Sequence, residues 1–171
     1  MTHADPAPAD AALHHAVSAF LFREARLLDD REWDAWLECY APDARYWMPA
    51  WTDDDRLTQD PLSEMSLIFY ASRQGLEDRV YRLRTQLSSA SSPQPRTCHM
   101  IANVEVIAQR SGEVDVRYNW HTLSHRMQVT DQFFGTTHCT IDTALPGFRI
   151  TAKSIILKDD YISQVIDIYH V

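Results

Sequence analysis

Residues 113–120, Glu113-Val114-Asp115-Val116-Arg117-Tyr118-Asn119-Trp120, decide the fold class of this chain. Val114, Val116, Tyr118 and Trp120 alternate with charged or polar neighbours over four consecutive pairs, the period of a strand with one buried and one wet face. Ser111-Gly112 precedes them as a turn, and Val104 and Val106 alternate in the same way before it, so the pattern predicts a β-hairpin. Toward the C-terminus, residues 133–143 and 148–157 read as two further strands joined across Leu145-Pro146-Gly147. The tail 161–171 is apolar enough to dock.

Upstream of the hairpin the period changes. The segment 88–97, SSASSPQPRT, cannot continue a helix and marks the boundary. Before it, residues 10–28 place Leu13, Val17, Phe20, Leu21 and Leu28 at helical spacings behind a candidate N-cap, Asp10. Asp29 and Asp30 interrupt that helix, and a second follows with Trp33, Trp36, Leu37 and Tyr40 at i, i+3, i+4 and i+7. Ala41-Pro42-Asp43 ends it, and Arg45-Tyr46-Trp47-Met48 reads as a strand that Pro49 limits to an edge or a strand end. A polar loop with Asp53, Asp54, Asp55, Asp60 and Pro61 leads to an apolar run at 66–70 that fits helix or strand. Leu76, Val80, Leu83 and Leu87 predict a third helix, with Gly75 ahead of it and Glu77 and Asp78 in its first turn.

Helices first and an antiparallel meander afterwards predict an α+β fold, in which the concave face of a curved sheet wraps the helices and buries the aromatic residues. Residues 1–9, rich in Ala and Pro, are expected to form a flexible tail, and 10–171 a single domain; no internal repeat is visible. The chain has 171 residues, with 16 Lys+Arg against 24 Asp+Glu and a net charge of −8, which argues against nucleic acid as a partner. Only 4 glycines are present, and no GxGxxG, GxxxxGK[ST] or GxSxG occurs, so phosphate-cradling loops and the nucleophile elbow are excluded. Cys39, Cys98 and Cys139 form an odd set without CxxC spacing, which fits a reducing compartment. With neither a leader-like N-terminus nor a long apolar run, the expectation is a soluble cytoplasmic protein without membrane contact.

Several constellations invite chemistry. His121 and His125, with His99 and His138, resemble a metal set, but on a strand His121 and His125 lie ~13 Å apart, far beyond a shared ligand sphere. Asp30, Tyr46, His99 and His121 are candidates for an acid–base site within a cavity, against the plainer reading that Asp30 caps a helix and Tyr46 packs in the core. Cys98-His99 and His138-Cys139 are adjacent on strands, which sends each pair to opposite faces. Asp53-Asp54-Asp55 lacks the alternating ligands and distal Glu of a calcium loop. Trp47-Met48-Pro49-Ala50-Trp51 is more aromatic than a surface turn needs, so Trp47 and Trp51 are candidate interface anchors.

Phe20-Leu21-Phe22-Arg23-Glu24-Ala25-Arg26-Leu27-Leu28-Asp29-Asp30, Trp33-x-x-Trp36-Leu37, Tyr46-Trp47-Met48-Pro49 and Leu76-Glu77-Asp78-Arg79-Val80 resemble the small (beta) subunits of aromatic-ring-hydroxylating dioxygenases. Met48-Pro49-Ala50-Trp51, Asn119-Trp120-His121-Thr122-Leu123-Ser124 and the ending 160–171 are most similar to the benzoate and toluate dioxygenase branch. The resemblance implies an NTF2-like (cystatin-like) cone and an α3β3 oxygenase. In such an oxygenase the large alpha subunit carries a Rieske 2Fe-2S cluster and a mononuclear iron, NADH supplies electrons through a reductase, and the small subunit is mainly structural. It assigns no catalytic, cofactor or metal residue to this chain, and neither ligand set has a recognisable pattern here. The expected partners are the alpha subunit and further beta copies, as a trimer, through an aromatic surface including Trp47, Trp51 and, from a C-terminal strand, Tyr169 and Val171. The rival reading is a stand-alone isomerase or dehydratase of the same fold with an enclosed Asp/His/Tyr site, and a third is a binding module with an apolar cavity.

Overall fold

A computed structural model describes residues 10–85, 93–144, 146–162 and 164–171. The expected tail 1–9, residues 88–92 of the Ser/Pro-rich segment, Leu87 and Leu145 lie outside the described residues. Helix α1 (Ala11–Asp29) starts where the Asp10 carboxylate accepts the Ala12 N–H at 3.1 Å, and it buries Val17, Phe20, Leu21 and Leu28 along one stripe. Arg31, in the left-handed region at φ 57°, turns the chain into α2 (Trp33–Leu37), which buries both tryptophans. The expected helical run to Tyr40 stops early. The Cys39 N–H closes a tight turn on the Trp36 carbonyl at 3.0 Å, and Tyr40 instead opens strand β1 (Tyr40–Pro49). Pro42 therefore lies within a strand, and the pairing of β1 with its neighbour breaks between Tyr40 and Arg45, as a residue without an N–H requires.

The ambiguous run is a strand, β2 (Ser66–Tyr70), paired antiparallel to β1. Helix α3 (Arg73–Arg84) begins before the expected start, so Gly75 stands inside it and Glu77 and Asp78 fall beyond its first turn. Gly75 is there because the helix crosses the Tyr70 ring: a Cβ would meet Tyr70 Cδ1 at 2.4 Å. Glu77 instead holds Arg73 at 2.9 Å, one turn back.

The remaining strands are β3 (Arg96–Arg110), β4 (Glu113–Arg126), β5 (Val129–Asp142) and β6 (Arg149–Leu157). The order across the sheet is β2-β1-β6-β5-β4-β3, antiparallel throughout except for the parallel β1–β6 pair. β3 is longer than its sequence suggests because a register shift between Ala102 and Glu105, with Asn103 at φ 52°, interrupts the alternation. Along β4 the even-numbered residues Val114 to Ser124 face the helices and are all buried, as the alternation demands. The α+β class and the curved, mostly antiparallel sheet around three helices are as expected.

Among its described residues the C-terminal segment contains no strand, contrary to expectation. It closes with a 3₁₀ turn (Ile168–His170) capped by the Asp167 carboxylate, which accepts the Ile168 N–H at 2.8 Å. Ile168, Tyr169, His170 and Val171 are buried, whereas Tyr161 and Val165 stay exposed.

At Gly135 a Cβ would lie 2.0 Å from the Ile156 carbonyl oxygen and 2.9 Å from Trp120 Cζ2. Backbone cannot give way there as a side-chain tip can, so Gly135→Ala is expected to cost roughly 2–3 kcal/mol, about 4–12 °C in Tm for a chain of this size. A thermal melt followed by circular dichroism checks this, and an unchanged Tm would contradict the close approach.

Candidate functional site

Two polar clusters lie on the concave side of the sheet, and both depend on α1. In the first, Glu24 Oε1 accepts from Trp36 Nε1 at 2.8 Å, Tyr40 OH at 2.6 Å and Lys153 Nζ at 3.0 Å. Glu24 and Lys153 are each 3% exposed at the side chain, so this is an ion pair in the core. Lys153 also lies 5.8 Å from the Tyr46 ring centroid and 6.0 Å from that of Tyr40. Burial pushes the Glu24 carboxyl up, but the Lys153 charge and the hydrogen bonds from Tyr40, Lys153 and Trp36 outweigh it and hold the group below the usual carboxylate range. Burial and the Glu24 charge raise Tyr40 and Tyr46 well above ordinary phenols, and burial drives Cys39 to about 11 and Cys139 to about 12. Such groups are poor proton carriers at neutral pH.

The second cluster joins the end of α1 to the start of β3. Asp29 Oδ1 meets His99 Nδ1 at 2.6 Å and accepts Thr97 Oγ1 at 2.8 Å, while Oδ2 accepts the His99 N–H at 2.9 Å. Burial raises the Asp29 carboxyl, and the bonds and charge from His99 and the bond from Thr97 more than reverse this. His99 Nε2 is buried without a hydrogen-bond partner. An Asp/His pair does therefore form, but with Asp29 in place of the expected Asp30. Asp30 is the exposed C-cap of α1, 3.6 Å from Arg26. Helical rotation explains the exchange: one residue turns the side chain by about 100°. Tyr46 has its hydroxyl buried and unpaired in the core, and His121 lies on the opposite, outer face of the sheet. The structure thus does not bring the four candidates together.

The other histidines behave as strand residues. His121 contacts Gln132 at 3.2 Å and His125 contacts Thr130 at 2.8 Å on the outer face. Among the described residues, no three His, Cys, Asp or Glu side chains are grouped to hold a metal, so neither a Rieske cluster nor a mononuclear iron fits the residues present. Cys98 is exposed while its neighbour His99 is turned inward, and Cys139 is buried, so neither adjacent pair forms a couple. In the acidic loop, Asp54 is engaged by Thr52 at 2.6 Å and by Arg56. One surface cleft, lined by Arg45, Asp115 and His138, borders Lys153, and another, lined by Leu28, Trp33 and Tyr169, borders Thr97, the partner of Asp29. No helix among the described residues is long and apolar enough to cross a membrane.

Trp47 is half-buried, with its indole donating to Ser66 Oγ at 2.9 Å. Trp51 is 43% exposed and donates to the Leu157 carbonyl at 2.7 Å, which leaves its ring face presented to solvent. Tyr169 and Val171 are turned into this chain's own core. Sequence reasoning missed Glu24, Lys153 and the Arg79–Asp167 pair that fastens the C-terminus, in which Arg79 Nε lies 2.8 Å from Asp167 Oδ1. The signal for Lys153 was a lone cation between the apolar residues Ile150 and Ile155 of β6, and the signal for Glu24 an acid on the apolar stripe of α1.

A curved, mostly antiparallel sheet packed over three helices is the architecture of the NTF2-like class of α+β cones. A candidate scytalone dehydratase of Novosphingobium aromaticivorans shares it with a TM-score of 0.66 at 11% identity, covering 91% of this chain and 92% of that one, a likeness of fold alone. The ring hydroxylating beta subunit family matches residues 23–164, and the chain belongs to it. The toluate 1,2-dioxygenase subunit beta of Pseudomonas putida is 56% identical over 158 residues, 92% of this chain and 98% of that one. The crystal structure of the beta subunit of the benzoate 1,2-dioxygenase from Burkholderia mallei superposes with a TM-score of 0.79 at 47% identity, covering 96% and 99% of the two chains.

The core ion pair gives a first prediction. Glu24→Gln or Lys153→Met alone is expected to lose roughly 3–5 kcal/mol, while Glu24→Leu with Lys153→Met recovers much of it, because each single change strands a buried partner. Urea denaturation reads this, and a double variant no better than the singles would mean the two are not coupled. A second concerns pH. His170, 2% exposed, has its pKa lowered to about 4 from 6.5 by burial, against the pull of Asp167. The unfolded chain then binds the extra proton first, so this contribution is complete above pH 6.5 and is lost as pH falls toward 4, at up to ~1.4 kcal/mol per unit. Asp29 and Glu24, both lowered, lose theirs only as pH falls further, through their folded pKa values. His170→Asn keeps an acceptor for the Asp167 N–H and is expected to flatten the slope between pH 6.5 and 4.

Proposed function

We propose that this chain is the non-catalytic, structural small subunit of a multicomponent dioxygenase that converts an aromatic carboxylate of the benzoate class to a cis-diol in aromatic catabolism. The observation that carries this reading is the 56% identity to the toluate 1,2-dioxygenase subunit beta over almost the full length of both chains. On this reading the large alpha subunit holds the Rieske cluster and the mononuclear iron, and NADH supplies two electrons through a separate reductase. One dioxygen, two electrons and two protons are consumed for each diol formed. This chain contributes rigidity and surface: Glu24 bonds Tyr40 and Lys153, Asp29 bonds His99, and the two clusters hold the helices in the sheet. The assembly is an α3β3 oligomer in the cytoplasm, a compartment in keeping with three free cysteines. Trp47 and Trp51 are the aromatic residues proposed to meet partner chains. Tyr169 and Val171 support those contacts from beneath, through the core. The rival isomerase or dehydratase reading is less supported, since Asp29 is committed to Thr97 and to both the backbone and the ring of His99.

The chain purified alone is expected to contain no stoichiometric iron and to leave benzoate untouched. Co-expressed with its large subunit and supplied with reductase and NADH, the complex is expected to show benzoate-dependent oxygen uptake. Iron content by mass spectrometry and oxygen consumption are the readouts, and iron or turnover in the isolated chain would overturn the proposal.

A further inference from the structure

Where β1, β6, β5 and β4 run side by side, the outer face of the sheet holds a cleft of about 210 Å³ whose polar groups have no role in the core clusters. Register builds it. Arg45, Ala152, Thr140 and Asp115 form one row across the four strands, and Ser154 and His138 face each other in the next. Ala152 is short, and the longer side chains of Arg45, His138 and the 40% exposed Ile107 border it. The acids close by are already answered. Asp115 takes two guanidinium nitrogens of Arg110, at 2.6 and 2.8 Å, and the Thr140 hydroxyl at 2.8 Å, while Glu105 accepts from Arg117 at 3.0 Å. Arg45, His138 and Ser154 are not: among the described residues, none of these three side chains has a hydrogen bond or an ion pair. Burial and the Arg117 charge hold the His138 pKa below its ordinary value, so at neutral pH the ring is an uncharged donor and Arg45 is the unanswered charge.

We infer that this cleft binds a small organic carboxylate with an apolar body, its carboxylate held by Arg45 with Ser154 and His138, and its body against Ile107 and Ala152. Three features select that class. A guanidinium presents two parallel N–H donors, the geometry that a carboxylate answers with its two oxygens. A single unpaired cation neutralises a monoanion and leaves a dianion such as phosphate under-neutralised beside the Asp115 carboxylate. The space is smaller than the ~300–1,000 Å³ of sites for drug-sized ligands, which limits the apolar body to about one ring. The site rests on its own geometry. Its role, as an accessory site for the class of acid on which the assembly acts, rests on the functional reading above.

The test titrates benzoate into the full chain alone, followed by ligand NMR, with benzamide lacking the charge and acetate lacking the ring. Benzoate is expected to bind about tenfold tighter than either. Arg45→Gln is expected to weaken it about tenfold, Arg45→Lys by less and Ser154→Ala about twofold, the scale of losing a charge-assisted and a neutral hydrogen bond. Arg23→Gln, which removes an exposed charge from α1, is expected to leave the affinity unchanged. Because Arg45 has no bonded partner to lose, the Tm of its variants is expected to stay at the wild-type value, which separates lost binding from lost folding. In the complex with the large subunit, equilibrium dialysis with labelled benzoate is expected to find one more equivalent per small subunit for wild type than for Arg45→Gln. No binding to the isolated chain, equal affinity for benzamide or acetate, or an unchanged Kd in Arg45→Gln would overturn the proposal. Equal equivalents in the two complexes would overturn it as well, and would assign the cleft to a carboxylate side chain of a neighbouring subunit. Benzoate-dependent oxygen uptake by the complex without binding to this chain removes the site and keeps the functional reading; binding to this chain without uptake by the complex does the reverse.

Discussion

A single oxygen atom, Oε1 of Glu24, receives Trp36 from α2, Tyr40 from β1 and Lys153 from β6, and the seating of α1 in the sheet depends on it. Removing both charges from water costs several kcal/mol per ion, so apolar residues of similar volume would hold the core as firmly. What the cluster adds is selection. β1 and β6 are the parallel pair, and with no hairpin to fix their register they slip between Tyr40 and Arg45. Tyr40 lies on one side of that slip, and Lys153, opposite Tyr46, lies on the other. A carboxylate that must reach both is satisfied in one register and one rotation of α1, and any other arrangement strands a buried charge.

The same commitment of polar groups bears on chemistry. An NTF2-like cone that acts on a small molecule needs an open interior with titratable groups free to meet it. Here Tyr40 and Lys153 are spent on Glu24, and Asp29 is spent on Thr97 and on both the backbone and the ring of His99. The Asp29–His99 pair has the form of an acid–base dyad, and its bonds tie the last turn of α1 to the first residues of β3. The C-terminus is tied in the same manner, by Arg79 to Asp167 and by the stacking of His170 on Phe133 at 4.6 Å. Ties at the entrance, the centre and the end of the chain make a rigid body, which is what a subunit that positions others requires.

The fold was legible wherever one period ran without interruption. β4, with six alternating buried residues, and α1, with its apolar stripe, are read directly because burial on one face is all that shapes their sequence. β3 was half-legible, since the bulge at Asn103 shifts inward positions from odd to even and cancels the alternation. The start of α3 was misplaced because Gly75 reads as a break in sequence, while in space it is the clearance for Tyr70. The polar clusters were not legible. A lysine between Ile150 and Ile155 reads as the wet side of a strand until Glu24, 129 positions away, is seen opposite. Likewise, nothing local distinguishes Asp29 from Asp30 as the partner of His99, because one helical step separates them. Tyr169 and Val171 show the converse: their apolar character was evident, but whether it served this chain or another depended on the turn made at Asp167.

The β4–β5 hairpin shows how ladder and turn trade strain in a glycine-poor chain. Arg126 and Val129 face each other, so Met127 and Gln128 alone make the turn, at φ 50° and 67°. Two successive positive φ values are the I′ geometry that Asn-Gly adopts freely, and each ordinary L-residue there costs roughly 1–2 kcal/mol. The ladder behind it runs from Glu113–Asp142 to Arg126–Val129 without a slip, and such a ladder can hold a strained turn closed. β3–β4, with two slips, turns instead through Gly112 at φ 80°. The uninterrupted ladder also keeps Leu123, His121 and Asn119 in line with Gln132, Phe134 and Thr136, so the regularity that supports the strained turn is what makes the outer face continuous. A neutral, unbroken sheet surface is thus a consequence of register as much as of composition.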